Sequence, residues 1–190
     1  MKSKIRSYIK SYDVLGNIAL VKFPEDYSSL DKKKFANNLL KTNKSVKTVL
    51  EKTGKFKGRL RKLTTKYLAG DKTKEVLYKE NGCVFRFNID KTYFSTRLSN
   101  ERKDVAEKIK PGSLVLVMFS GVGPYSIVIA RNSKAKKVYS NEINREASEY
   151  QKLNIELNKL KDEVRLIPGD IKRVALVLKK ENKKFDVIVM

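Results

Sequence analysis

The run SLVLVMF (113–119) is almost wholly apolar and stops at a small-residue loop, Ser120-Gly121-Val122-Gly123, followed by Pro124. A strand with apolar side chains on both faces must be covered on both faces, which is the condition of a central strand in a parallel sheet. Pro124 suits the first position of a helix, where its missing N–H costs little. The same alternation recurs downstream. KKVYSNE (136–142) reads as a second strand. Asn144 to Leu160 reads as a helix, with Ala147, Tyr150, Leu153, Leu157 and Leu160 at spacings of three and four. VRLIPGD (164–170) is a third strand and FDVIVM (185–190), after a helical stretch, a fourth. A short helix, NERKDVAEKI, capped by Asn100, precedes them. This order, β-α-β-α-β-α-β, is the opening of a doubly wound α/β sheet.

The first half reads differently. YDVLGNIALVKF (12–23) is expected to be a strand, and SSLDKKKFANNLLKTN (28–43) a helix with Leu30, Phe35, Leu39 and Leu40 on one side. SVKTVLEKTG (45–54) is strand-like, and EVLYKENGCVFRFNID (75–90) is a hairpin turning at Asn81-Gly82. Two units are therefore expected: a small basic α+β unit over 1–95 and a parallel-sheet unit over 96–190.

Charge narrows the partner. The chain carries 43 Lys+Arg against 21 Asp+Glu, a net charge of +22. Between Lys41 and Lys66 stand ten basic residues and one acid, Glu51. A local excess of that size is an electrostatic footprint for a phosphodiester backbone. Lys55, Lys57, Arg59, Lys62 and Lys66 are the candidate RNA contacts. No apolar run approaches the roughly 20 residues a membrane span needs, and the segment has no amphipathic helix with a bulky apolar face, so no membrane partner is expected. The basic N-terminus lacks the apolar stretch of a secretory signal. The single cysteine, Cys83, leaves no internal disulfide, and the cytoplasm is the expected location. The chain has no histidine, which excludes histidine general bases and the Ser/His/Asp triad, and with one cysteine it excludes a zinc site; no metal is expected.

In a doubly wound sheet the ligand lies beyond the carboxyl ends of the strands. The first such loop is Phe119 to Gly123. A dinucleotide fingerprint would place a third glycine where this chain has Ser126. Glu142 ends the second strand, 19 residues after Gly123, where a carboxylate accepts from ribose hydroxyls; Asp170 ends the third, near an adenine ring. S-adenosylmethionine, which has no phosphate and needs glycine clearance and an acid for its ribose, fits this loop better than NAD does.

FSGVGPYS (119–126), VYSNEINREA (138–147) and NIELNKL (154–160), together with YLAGD (67–71), YKENG (78–82) and FRFNIDKTYFSTRLSNER (85–102), resemble the class I tRNA guanine-N1 methyltransferases of archaea and eukaryotes. Those enzymes act on the guanosine just 3′ of the anticodon, at tRNA position thirty-seven. The resemblance covers residues 8–190 and extends to archaeal members that methylate a wyosine intermediate. It implies a Rossmann-like class I methyltransferase half-sheet, S-adenosylmethionine as cofactor and tRNA as partner. It places Glu101 as the base that takes the N1 proton and Arg61 as the cation that stabilises charge developing on guanine O6. Tyr93 and Arg97 resemble residues lining the cofactor and guanine pocket, and Phe119, Gly121, Gly123, Glu142, Ile143, Asp170 and Ile171 fall at the family's cofactor positions.

The sequence also departs from that pattern. Val117 stands where the family usually carries an acid that holds the cofactor's amino-acid arm, and Arg145 where proline is common. Relative to the family the sequence stops at strand four and lacks the small N-terminal domain, which implies a fragment, a degenerate homologue or a half completed by a second chain. Aminocarboxypropyl transfer from the same cofactor, as in wybutosine synthesis, and a tRNA-binding subunit without chemistry remain open alternatives.

Overall fold

The chain's structure, a computed structural model, describes residues 12–54, 58 and 63–190. The stretch expected to be one strand over 12–23 is a hairpin, β1 (Tyr12–Leu15) and β2 (Ile18–Val21), because Gly16 takes a left-handed φ of +55° and reverses the chain. β3 (Thr48–Lys52) runs parallel to β2, and β4 (Thr65–Gly70), a strand the sequence patterns do not suggest, pairs antiparallel with β3. α1 (Ser29–Thr42) starts at Ser28, whose side chain accepts from the Asp31 N–H, and buries Ala36 and Leu39 against Ala19, Val21, Val49 and Ala69. Leu30, expected on that face, is 62% exposed. It precedes Leu39 by nine residues, two and a half helical turns, and so points the other way.

β5 (Glu75–Glu80) and β6 (Cys83–Asn88) form the expected hairpin, with Asn81 and Gly82 both at positive φ as a type I′ turn requires. The Gly16-Asn17 turn abuts its outer strand: Asn17 Oδ1 accepts from the Leu77 N–H at 2.8 Å, and a Cβ on Gly16 would come within 1.8 Å of the Leu77 carbonyl oxygen. The left-handed backbone alone costs an L side chain about 1–2 kcal/mol, and a strand carbonyl cannot swing aside. Gly16→Ala is therefore expected to destabilise the chain by about 2 kcal/mol or more, read as a lower thermal midpoint by circular dichroism. An unchanged midpoint would show that this turn does not bear on β5.

A 3-10 turn (Thr96–Leu98) feeds straight into α2 (Ser99–Lys108). Asn100 is thus inside the helix and caps nothing; Leu98 occupies the N-cap, with no side-chain bond, since the preceding turn already orients the chain. The parallel sheet follows as expected: β7 (Leu114–Val117), α3 (Pro124–Asn132), β8 (Lys137–Glu142), α4 (Arg145–Leu157), β9 (Val164–Pro168), α5 (Ile171–Lys180) and β10 (Val187–Val189). Its strand order is β10-β7-β8-β9, all parallel, so the chain switches direction across the sheet beside β7. One core runs from Leu15, Ile18 and Leu20 through Phe85 and Phe87 of the hairpin to Val115, Ile127 and Ile155. The hairpin therefore shares the buried interior of the parallel sheet. No helix among the described residues is long and apolar enough to cross a membrane.

Candidate active site

β7 ends on the loop Phe119–Gly123 at the carboxyl edge of the sheet. Phe119 has φ +56°, strained for an aromatic residue, and the residue is 56% exposed. Gly121 faces the 92–97 segment, 3.6 Å from the Tyr93 carbonyl oxygen measured from where a Cβ would stand. Gly123, at φ +89°, leaves room for Gln151, whose Cγ would lie 2.8 Å from a Cβ there. Ser126, the residue in place of a third glycine, is fully buried with its hydroxyl 2.5 Å from that of Ser140, so helix and sheet meet through hydroxyls.

Glu142 ends β8 with only 7% of its surface exposed. Its Oε2 accepts from the Gly121 N–H at 2.7 Å and its Oε1 from the Asn144 N–H at 2.6 Å. An ionised carboxylate has about four acceptor sites, so these two bonds leave capacity for ribose hydroxyls while holding the carboxylate against the glycine loop. Ile143, half-buried, follows it. Asp170 caps α5, its Oδ1 accepting from the Lys172 N–H at 2.9 Å. Ile171 begins that helix and packs against the cluster of Leu116, Tyr139, Val174 and Leu178. The loop, Glu142 and Asp170 thus share the carboxyl edge of three adjacent strands. Val117 is buried in β7 and offers no polar group.

Tyr93 and Arg97 line a cavity of about 330 Å³ whose wall also includes Asp13, Lys52, Leu63 and Thr96. Glu101 is exposed in the first turn of α2, and its Oε1 accepts from the Tyr125 hydroxyl at 2.5 Å. Burial first, then that hydrogen bond and the carboxylate's charge, push the Tyr125 phenol up to about 12, so it remains a donor at neutral pH. Lys66 is exposed in β4 opposite Glu51. Arg61, Lys55, Lys57, Arg59 and Lys62 lie outside the described residues. No group of three or more metal-ligating side chains occurs among the described residues.

The sequence patterns missed two features. Arg102, beside Glu101, is 1% exposed; its Nε donates to Glu80 Oε1 at 2.5 Å, and its Nη2 to Glu80 Oε2 at 2.7 Å and to the Ser95 carbonyl at 2.8 Å. The buried face of α4 is also more polar than its apolar spacing suggests: Ala147 and, just beyond the helix, Leu160 are buried as expected, but Leu157 is 47% exposed and Gln151 and Asn154 are fully buried. The available signal was polar residues recurring at 151, 154 and 158 with helical spacing.

Comparison with known proteins identifies the family and the fold. Residues 76–190 match the family described as "TRM5/TYW2 methyltransferase domain", and residues 1–73 match the "TYW2 N-terminal domain". The tRNA (guanine(37)-N(1))/4-demethylwyosine(37)-methyltransferase Taw22 of Nanoarchaeum equitans is 43% identical over 79% of this chain and 49% of its own. The structure of aTrm5 in complex with tRNALeu superposes with a TM-score of 0.83 at 31% identity, covering 95% of this chain and 51% of that one. Methanocaldococcus jannaschii TYW2 in complex with AdoMet superposes with a TM-score of 0.61 at 26% identity, covering 85% and 57%. The chain thus spans about half the length of the curated relatives it matches first. The first of the family matches takes in the whole parallel sheet and the loop at its carboxyl edge, and on that ground the chain belongs to the TRM5/TYW2 methyltransferase family.

Proposed function

We propose that this chain serves S-adenosylmethionine-dependent methylation of tRNA at N1 of guanosine 37, the activity in the names of its curated relatives. The observation that carries the reading is Glu142 bonded to the Gly121 N–H at the edge of the sheet, an acid and a glycine loop set side by side where an adenosyl group needs both. The cofactor, when bound, supplies an electrophilic methyl group on a sulfonium. Glu142 receives its ribose, Gly121 gives it clearance, Gly123 seats the loop against Gln151 beside it, Ile143, Asp170 and Ile171 flank its base, and Phe119, Tyr93 and Arg97 border its other side. Glu101 takes the N1 proton of the target guanine, and Arg61 stabilises the negative charge that then gathers on O6. Lys55, Lys57, Arg59, Lys62 and Lys66 contact the tRNA backbone, and no metal takes part. The cytoplasm is where such a substrate is met. We place the unit boundary ahead of the hairpin rather than after residue 95, because the Asn154 and Asn158 side chains bond to β6 and the first family match begins at residue 76.

The match of residues 1–73 to a TYW2 N-terminal domain favours a second reading, aminocarboxypropyl transfer from the same cofactor. The replacement of the family acid by Val117 bears on the same choice, since the grip on the amino-acid arm decides which carbon of the sulfonium is attacked. Both readings are tested by incubating the chain with unmodified tRNA, or tRNA bearing the wyosine precursor, and S-adenosylmethionine, then measuring the mass of nucleoside 37. A methyl increment on guanosine supports the first, an aminocarboxypropyl increment the second, and no increment rejects both for the chain acting alone. The cofactor site has its own test. A charge-assisted hydrogen bond contributes about 1.5–3 kcal/mol, so Glu142→Ala is expected to weaken S-adenosylmethionine binding about tenfold or more in calorimetry. Unchanged affinity would remove Glu142 from the site.

A further inference from the structure

An isolated two-stranded hairpin has two edges of unpaired backbone groups, and burying them unsatisfied is costly. On the β6 edge the partner is a helix. Asn154 Oδ1 accepts from the Arg86 N–H at 2.7 Å and its Nδ2 donates to the Arg86 carbonyl at 3.1 Å. One turn on, Asn158 does the same with Val84: Oδ1 accepts at 2.9 Å and Nδ2 donates at 2.7 Å. The periods match. Four residues of helix rise about 6 Å and two residues of strand about 6.6 Å, so asparagines at i and i+4 meet the outward-facing groups of alternate strand residues. α4 stands in for a third strand.

Asn154 does one thing more. The second hydrogen of its Nδ2 goes to the carbonyl of Val122, between the two glycines of the loop, at 3.0 Å. A turn earlier, Gln151 Oε1 accepts from the Ser120 hydroxyl at 2.9 Å. The loop at the end of β7 and the hairpin β5–β6 therefore hang on one buried face of one helix, and a single amide bonds to both. From β6 the connection runs on to the cavity: Phe87 stacks on Phe94 with ring centroids 4.8 Å apart, and Phe94 sits within the segment that carries Tyr93 and Arg97.

We propose that Asn154 is a positioning residue that couples the cofactor loop to the hairpin, so that ordering Val122 and its glycines also orders β6 and the Tyr93–Arg97 wall. Coupling of this kind is reciprocal: whatever loosens the hairpin at Asn154 also loosens the loop. The identity of the ligand rests on the function proposed above; the coupling itself does not.

Asn158 is a matched control. It has the same side chain at the C-cap of the same helix, bonds to the same strand, and its side chain also makes three hydrogen bonds, the third to the Asn154 carbonyl and none to the loop. Asn154→Leu and Asn158→Leu keep side-chain size and lose equal numbers of bonds, so a purely structural role predicts equal effects. The first measurement is hydrogen exchange at the Gly123 amide, which bonds to the Ser120 carbonyl, in ligand-free protein. Asn154→Leu should speed that exchange about tenfold relative to Asn158→Leu, the factor that about 1.4 kcal/mol of lost restraint produces. Equal exchange rates overturn the coupling. The second is calorimetry with S-adenosylhomocysteine as probe, where the dissociation constant should rise about tenfold for Asn154→Leu and stay within about twofold for Asn158→Leu. Equal shifts in the two variants overturn the proposal. A wild-type chain that binds no S-adenosylhomocysteine overturns the functional reading instead, and the exchange measurement still decides the coupling. If either leucine variant does not fold, serine at both positions repeats the comparison with smaller side chains.

Discussion

Glu101→Gln is expected to lower the methyl-transfer rate by about a hundredfold or more with little change in cofactor affinity. The N1 nitrogen of guanine is a poor nucleophile while it carries its proton, and a chain without histidine has few groups that can remove it. Glu101 stands exposed in the first turn of α2, beyond the Tyr93–Arg97 segment that lines the cavity. A bare carboxylate at a helix start has an ordinary structural explanation, since the helix macrodipole favours it. The contact with Tyr125 adds to that. A phenol held near 12 remains protonated through the neutral range, donates to the carboxylate oxygen at 2.5 Å and holds it in one orientation. Glutamine keeps the acceptor oxygen for Tyr125 and cannot take a proton, so it separates catalysis from packing. The measurement is single-turnover methyl transfer, with cofactor binding followed in parallel. A Glu101→Gln chain that transfers methyl within a few-fold of the parent rate would remove Glu101 as the base.

The largest stability effect is expected next door. Glu80→Ala should cost about 3–5 kcal/mol of folding free energy, because it leaves the Arg102 guanidinium charged, buried and without its carboxylate. The pair is nearly inaccessible, with side chains 1% and 2% exposed, and its geometry is bidentate. Arg102 also lies over the rings of Phe94 and Tyr125, at 5.2 and 5.7 Å from their centroids. The guanidinium therefore joins three parts of the site: the hairpin through Glu80, the cavity segment through Ser95 and Phe94, and the start of α2 through its own backbone. Replacing both partners by methionine should cost far less than either single alanine, since no buried charge is then left unpaired. Urea denaturation of the two single variants and the double variant measures all three. Single replacements costing under about 1 kcal/mol would place the pair at the surface.

Much of the fold was legible where the physical cause is local. The four parallel strands, the Pro124 helix start and the Asn81-Gly82 turn each follow from a few consecutive residues: an apolar run, a missing N–H, a pair able to take positive φ. Glu142 was legible for the same reason, as an acid a fixed distance along an alternating pattern. The first strand was misread because a two-residue turn at Gly16-Asn17 divides an otherwise continuous strand-like run. Asn100 was misread as a cap because the 3-10 turn ahead of α2 is invisible in composition.

The face that α4 buries is the plainest case of what local pattern cannot reach. The expected apolar stripe holds at Ala147 and Leu160, yet Leu157 is 47% exposed and Asn158 only 3%. Burying an amide is unfavourable unless its donors and acceptors are met, and the groups that meet Asn154 and Asn158 lie 68 and 74 residues away in β6. Glu80 and Arg102 are 22 apart and likewise sit where a solvated charge would be expected. The sequence by itself determined the order of elements, the glycine loop with its acid, and the basic character of the chain, because each depends on near neighbours or on totals. Which helix face is buried, which charges pair in the interior, and how the loop is tied to the hairpin were decided only by tertiary structure, because a polar side chain can be buried only once a distant backbone or an opposite charge has been brought to it.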